Sequence, residues 1–96
     1  MTKPIEITIR KLSKPGCRPC AVLSYAMADI GDQLTQANAV VSEHDITQEP
    51  ELIAQYGITG VPVMIYERNG VEVARLSGMV SAEEILEAVE YAKEVR

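Results

Sequence analysis

The chain has 96 residues and a net charge of −5; 47% of its residues are apolar and 24% charged. That length and balance fit one domain over residues 1–96 with a single core, and the acidic excess argues against a nucleic-acid partner. No apolar run is long enough to span a bilayer, and the opening "MTKPIEITIRK" lacks the apolar stretch and cleavage site of a secretory leader.

These features predict a cytoplasmic protein with no membrane partner, and a monomer is the default expectation. In that compartment two close cysteines serve catalysis or metal binding more often than they staple a fold. With no Trp and no Phe, the core must be built from Leu, Ile, Val, Met, Ala and the four Tyr. The charge is uneven: residues 1–18 carry +4 and the remainder −9. Lys3 and Arg10 read as part of a solvated face, whereas Lys14 and Arg18 flank Cys17.

"IEITIRKL" places Ile5, Ile7 and Ile9 in alternation, followed by Leu12, and predicts a strand. Pro15 and Gly16 stop it. From Arg18 the period changes: Leu23, Met27, Ile30 and Leu34 share one helical face with Cys20 a turn before them, and one helix is expected to about Ala37. "AVVSEHDI" is a second strand. "EPELIAQYG" is a short helix with Pro50 in its first turn, Leu52, Ile53 and Tyr56 on one face and Gly57 as its stop.

Next come two strands, with Val63 and Ile65 on one side of Asn69-Gly70 and Val71 and Val73 on the other. That dipeptide suits a type I′ hairpin turn. Ser81 and Glu84 form a capping box for a last helix with Ile85, Leu86, Val89 and Ala92 as its stripe. The order β-α-β-α-β-β-α predicts an α/β fold: a four-stranded mixed sheet flanked by three helices, its first two strands parallel because a helix joins them.

"SKPGCRPCAVL" holds both cysteines. Cys17 falls at the cap of the first predicted helix, where unpaired N–H groups and the helix dipole favour a thiolate, the nucleophilic form of sulfur. Pro19 is tolerated in a first turn. Cys20, one turn in, is expected to be buried and within disulfide reach of Cys17. Exposure then divides the labour. Cys17 attacks a substrate disulfide, and Cys20 attacks the mixed disulfide that results. Lys14 and Arg18 favour the Cys17 thiolate by opposite charge, and Arg18 in place of a glycine is expected to make the protein less reducing.

Two other readings are open to these residues. A closed zinc site wants four ligands, and the chain has two Cys and one His. Two inert buried thiols would have no need of flanking cations. His44, next to Asp45, reads as a surface residue without a role.

Three segments then resemble the thioredoxin/glutaredoxin superfamily: "CRPC", "YGITGVPVMIY" and "NGVEVARLSGMVSAEEILEAV". The resemblance covers nearly the whole chain and implies a thioredoxin fold. It implies Cys17 and Cys20 as the redox pair and Pro15, Gly16 and Pro19 as the loop around them. Pro62 would be the family's cis-proline, with Val61 presenting its backbone to an extended substrate peptide; Gly60 and Gly78 border that site.

The chain also departs from thioredoxin. Gly16 stands where thioredoxins have Trp, and Lys11 stands six residues before Cys17, where the family has a buried Asp that accepts a proton. "SKPGC" is similar to the glutaredoxin "TKPxC" and to small donors of ribonucleotide reductase. "SGMVSAEE" lacks the Gly-Gly-x-Asp-like turn with which glutaredoxins hold glutathione, although a helix N-terminus at Ser81 attracts carboxylates in general.

The expected function is a protein dithiol–disulfide oxidoreductase with no bound cofactor. It would be reduced by NADPH through a thioredoxin reductase-like partner, with glutathione second. Its substrates would be disulfide-containing proteins, ribonucleotide reductase among the candidates. A glutaredoxin acting on glutathione mixed disulfides, and a redox-independent binding subunit, are the alternatives.

Overall fold

A computed structural model describes residues 4–95. Four strands form one mixed sheet in the order β2-β1-β3-β4. β1 (Ile7–Ser13) lies at its centre, parallel to β2 (Ala39–Asp45) and antiparallel to β3 (Val63–Arg68), which pairs in turn with β4 (Val71–Ser77). The Asn69-Gly70 turn has positive φ at both residues, 55° and 79°, as a type I′ hairpin requires. Lys3, read as solvated, lies outside the described residues.

Among the described residues there are four helices where three were expected. The first is divided into α1 (Arg18–Asp29) and α2 (Gly31–Gln36) at Ile30, whose φ of −111° and ψ of 17° leave the helical region. Gly31 follows, with low helix propensity, and the Ile30 N–H turns to the carbonyls of Met27 and Ala28. The bend lets Ile30 and Leu34 both reach the core. α3 (Glu51–Tyr56) ends at Gly57 in the left-handed conformation. α4 (Ala82–Glu94) opens with the Ser81–Glu84 capping box and closes on the Arg68 guanidinium, which donates to the Ala92, Lys93 and Val95 carbonyls.

The period of two along the strands sorts the side chains into two layers. Ile7 and Ile9 of β1 and Met64 and Tyr66 of β3 point to one face. They pack there with Leu23, Met27, Ile30 and Leu34 from α1, its break and α2, and with Ile85 and Val89 from α4. Leu12, Val63 and Ile65 point to the other face, against Leu52 of α3. Each fully buried side chain of this size contributes about 1.5–3 kcal/mol relative to exposure.

Tyr66 is the bulkiest of them. Its hydroxyl donates to the Ile85 carbonyl at 2.9 Å, and burial pushes its phenol well above the ordinary range. Ile53 was expected on an apolar face and is exposed, as is Val71 of the hairpin. α3 is too short to turn more than one side of itself inward, and Val71 opens an edge strand.

Candidate redox site

Cys17 occupies the N-cap of α1 with extended backbone (φ −92°, ψ 105°), and Arg18 and Pro19 form the first turn. Its sulfur accepts the Cys20 N–H at 3.2 Å. A helix-terminal donor thus points at this sulfur, and the same donor would stabilise it as a thiolate. The two cysteines are joined as a disulfide with their Cα atoms 5.3 Å apart. Cys17 is half-buried, while Cys20 is 5% exposed on the inner side of α1. Lys14, Pro15, Gly16, Arg18 and Pro19 are all exposed around the half-buried sulfur. Gly16 has φ of 75° with open space where a Cβ would stand, so the turn needs glycine for its dihedral and not for room.

The sheet register brings the second half of the site to the same place. Leu12 pairs with Val63, so β1 runs out into the cysteine loop at the end where Val61 and Pro62 lead into β3. The Val61–Pro62 peptide is cis. Pro62 is buried, Val61 half-buried and Gly60 exposed. Gly78, with φ of 74°, donates its N–H to the Pro62 carbonyl at 2.9 Å. Val61, Pro62, Arg75, Ser77 and Gly78 line a cavity of about 250 Å³. The cysteine loop and the cis-proline segment therefore gather at one end of the sheet, beyond the carboxyl ends of the two parallel strands, where α/β folds place their sites.

Two residues sit differently from expectation. Arg10 is not part of a solvated face. Its guanidinium donates to the buried Glu67 at 2.7 Å, and that bond holds its pKa above the usual arginine value. His44 is half-buried, with Nε2 near Arg10 and the Ser42 hydroxyl and Nδ1 3.0 Å from Glu49. Both were misread because only the fold puts α3 and Glu67 over that face.

A third residue was not singled out for burial at all. Lys11 is 2% exposed, with its ammonium on the Ser24 hydroxyl of α1 and 3.2 Å from Glu43. The signal for it was present, since Lys11 continues the alternation of Ile7 and Ile9. Among the described residues no three His, Cys, Asp or Glu side chains converge as a metal-binding set, and no helix is long and apolar enough to cross a membrane.

A buried cysteine one turn behind a helix-capping cysteine, on a four-stranded mixed sheet, defines a thioredoxin-like redox protein. The family profile of the thioredoxin-like domain matches residues 6–93, and the chain belongs to that family. The SPbeta prophage-derived thioredoxin-like protein YosR of Bacillus subtilis is 41% identical over 69 residues, which cover 71% of this chain and 78% of that protein. A mutant thioredoxin from Halobacterium salinarum superposes with a TM-score of 0.81 at 21% identity, covering 95% of this chain and 78% of the other. A thioredoxin-2 described as a component of the malaria parasite protein secretion machinery also gives 0.81, at 15% identity and with 93% and 85% covered. At such identities the two structures speak for the fold.

Proposed function

We propose that the protein is a dithiol–disulfide oxidoreductase that reduces disulfides in other proteins. The observation that carries this reading is the unequal placement of the two sulfurs: Cys17 half-buried at a helix N-terminus, Cys20 buried behind it. Cys17 as thiolate attacks one sulfur of a substrate disulfide, and the other substrate sulfur leaves as a thiolate. Cys20 then attacks Cys17, the mixed disulfide breaks, and the substrate departs fully reduced while Cys17 and Cys20 become the disulfide. Two electrons pass from the protein to the substrate.

In this reading Lys14 and Arg18 keep positive charge around Cys17. Val61 and Pro62 receive an extended peptide by adding it as a strand, and Gly60 and Gly78 leave the backbone there accessible. Disulfide-bearing cytoplasmic proteins are the substrates, ribonucleotide reductase being one candidate of that class.

The dithiol is regenerated with electrons from NADPH through a thioredoxin reductase-like partner. The N-terminus of α4 supports that choice over glutathione. The Ser81 N–H is already held by Glu84 at 3.0 Å and the Glu84 N–H by Ser81 at 3.1 Å, with Glu83 and Glu84 adding negative charge where a glutathione carboxylate would dock.

Insulin-disulfide reduction tests the reading. It is run once with NADPH and a thioredoxin reductase, and once with NADPH, glutathione and glutathione reductase. Turnover is expected in the first system, lost in both Cys17→Ser and Cys20→Ser. Fast turnover in the second system, retained by Cys20→Ser, would instead assign a glutaredoxin. No turnover in either, with an accessible dithiol, would leave a binding subunit.

A further inference from the structure

The interior of this protein carries one buried cation among the described residues, Lys11, and it lies against the helix that carries Cys20. Its ammonium bonds the Ser24 hydroxyl, and that hydroxyl donates to the Cys20 carbonyl at 3.2 Å, so the charge sits two hydrogen bonds from the Cys20 backbone. The partner carboxylate does not cancel it on that side. The Glu43 side chain is 68% exposed and 3.2 Å from the ammonium, so water screens the anion while the cation acts through the interior.

Among the described residues Lys11 and Glu67 are the only buried charges. Lys14, in the loop before Cys17, and Arg18, in the first turn of α1, are exposed. β3 offers Met64 opposite Lys11, and α4 turns Ile85 and Val89 toward the core while its glutamates are exposed. The other buried charge, Glu67, lies across the sheet on Arg10 and Tyr56.

A buried thiol in apolar surroundings resists ionisation. Cys20 must nevertheless become a thiolate to break the mixed disulfide. We propose that Lys11 is an electrostatic positioning residue for the resolving step, stabilising the Cys20 thiolate as it forms. The inference rests on the dithiol reading above. In the step, Cys20 gives its proton to water, and its sulfur bonds to Cys17. The Cys17–substrate disulfide breaks, and the substrate sulfur leaves with the electron pair. Lys11 exchanges no proton.

The test uses the reduced full chain and the chromogenic disulfide 5,5′-dithiobis(2-nitrobenzoate) in stopped flow from pH 5 to 10. The first thionitrobenzoate released reports attack by Cys17, and the second reports resolution by Cys20. A nearby opposite charge shifts a thiol by about one unit or more. Without it, the thiolate fraction at neutral pH falls about tenfold, but each thiolate is about threefold more nucleophilic, from a Brønsted slope of about 0.4–0.5.

Lys11→Met is therefore expected to slow the second phase about threefold at pH 7 and to speed it about threefold on the alkaline plateau, so that its pH profile crosses that of the natural protein. The first phase is expected to keep its profile. Lys11→Arg should restore the original curve. Glu43→Gln removes an anion that water already screens, so it should displace the curve toward acid by less than Lys11→Met displaces it toward alkali. A second phase unmoved by Lys11→Met and Glu43→Gln overturns the role of Lys11 while leaving the dithiol reading intact. A uniform slowing at every pH overturns it as well, by showing a packing defect. Absence of a second phase in the natural protein overturns the dithiol reading itself.

Discussion

On one face of the sheet α1, α2 and α4 lay continuous apolar stripes over Ile7, Ile9, Met64 and Tyr66. On the other face the six-residue α3 covers Leu12, Val63 and Ile65, largely with Leu52. Beyond Leu52 the strands carry Arg10, Ser42, His44 and Glu67, tied to Tyr56 at the end of α3 and to Glu49 by hydrogen bonds. Where helices suffice, the hydrophobic effect closes the layer. Where they do not, half-buried polar groups close it by satisfying one another. The redox site stands at the end of the sheet where both layers stop, with Cys20 under the apolar one and Pro62 leading into Val63 of the other.

Truncation on each face gives the largest contrast. Ile9→Ala, at a fully buried central position, should cost about 3–4 kcal/mol, and Leu52→Ala, on the thin layer, about 2 kcal/mol, by denaturant unfolding. Equal losses would break the distinction between the faces.

Glu67→Ala comes next. It strips Arg10 and the Tyr56 hydroxyl of their shared acceptor and should cost about 1–2 kcal/mol, the partial exposure of Arg10 holding the value down. Glu67→Gln, which keeps an acceptor, should cost less, and the difference between the two variants measures the charge in that bond.

The alkaline limb of the stability curve sharpens the contrast. Burial raises the Tyr66 phenol, so the folded chain holds this proton at pH values where the unfolded chain, with a phenol near 10.0, has lost it. Stability from this group is complete below pH 10.0 and declines as pH rises beyond it. Tyr66→Phe should flatten that decline in urea titrations. Tyr56, half-buried and raised by desolvation and then by Glu67, should contribute a shallower one.

The smallest effect belongs to the Glu72–Arg75 pair on β4. The Arg75 hydrogen bond holds the Glu72 carboxyl below its usual 4.5, so its stabilisation is present above that pH and is lost as the pH falls through the folded value. Both side chains are about one-third exposed, and Glu72→Gln should cost no more than about 0.5 kcal/mol at pH 7, with a weaker acid dependence as its signature.

Local patterns along the chain were enough for the order of elements, the hairpin at Asn69-Gly70, the capping box at Ser81 and the placement of Cys17 ahead of Cys20. Each depends on residues within a few positions of one another, where backbone dihedrals and helix periodicity act directly. The apolar partners Leu23, Met27, Ile85 and Val89 were legible for the same reason. The break at Ile30 was not, because the helical period runs through it undisturbed and the bend serves the packing of Ile30 and Leu34 together. Arg10 read as solvated because its partner is far along the chain, Glu67 standing 57 residues away, and His44 because the chain must fold before Arg10, 34 residues away, meets it beside the nearby Ser42 and Glu49. Lys11 illustrates the limit most sharply. Its alternation with Ile7 and Ile9 points it inward, yet a lysine there is tolerable only because Ser24 and Glu43, from a helix and a neighbouring strand, arrive to meet its charge. Burial of an ion depends on what the fold brings to it, and that is settled by contacts across the sheet and not by neighbours in the chain.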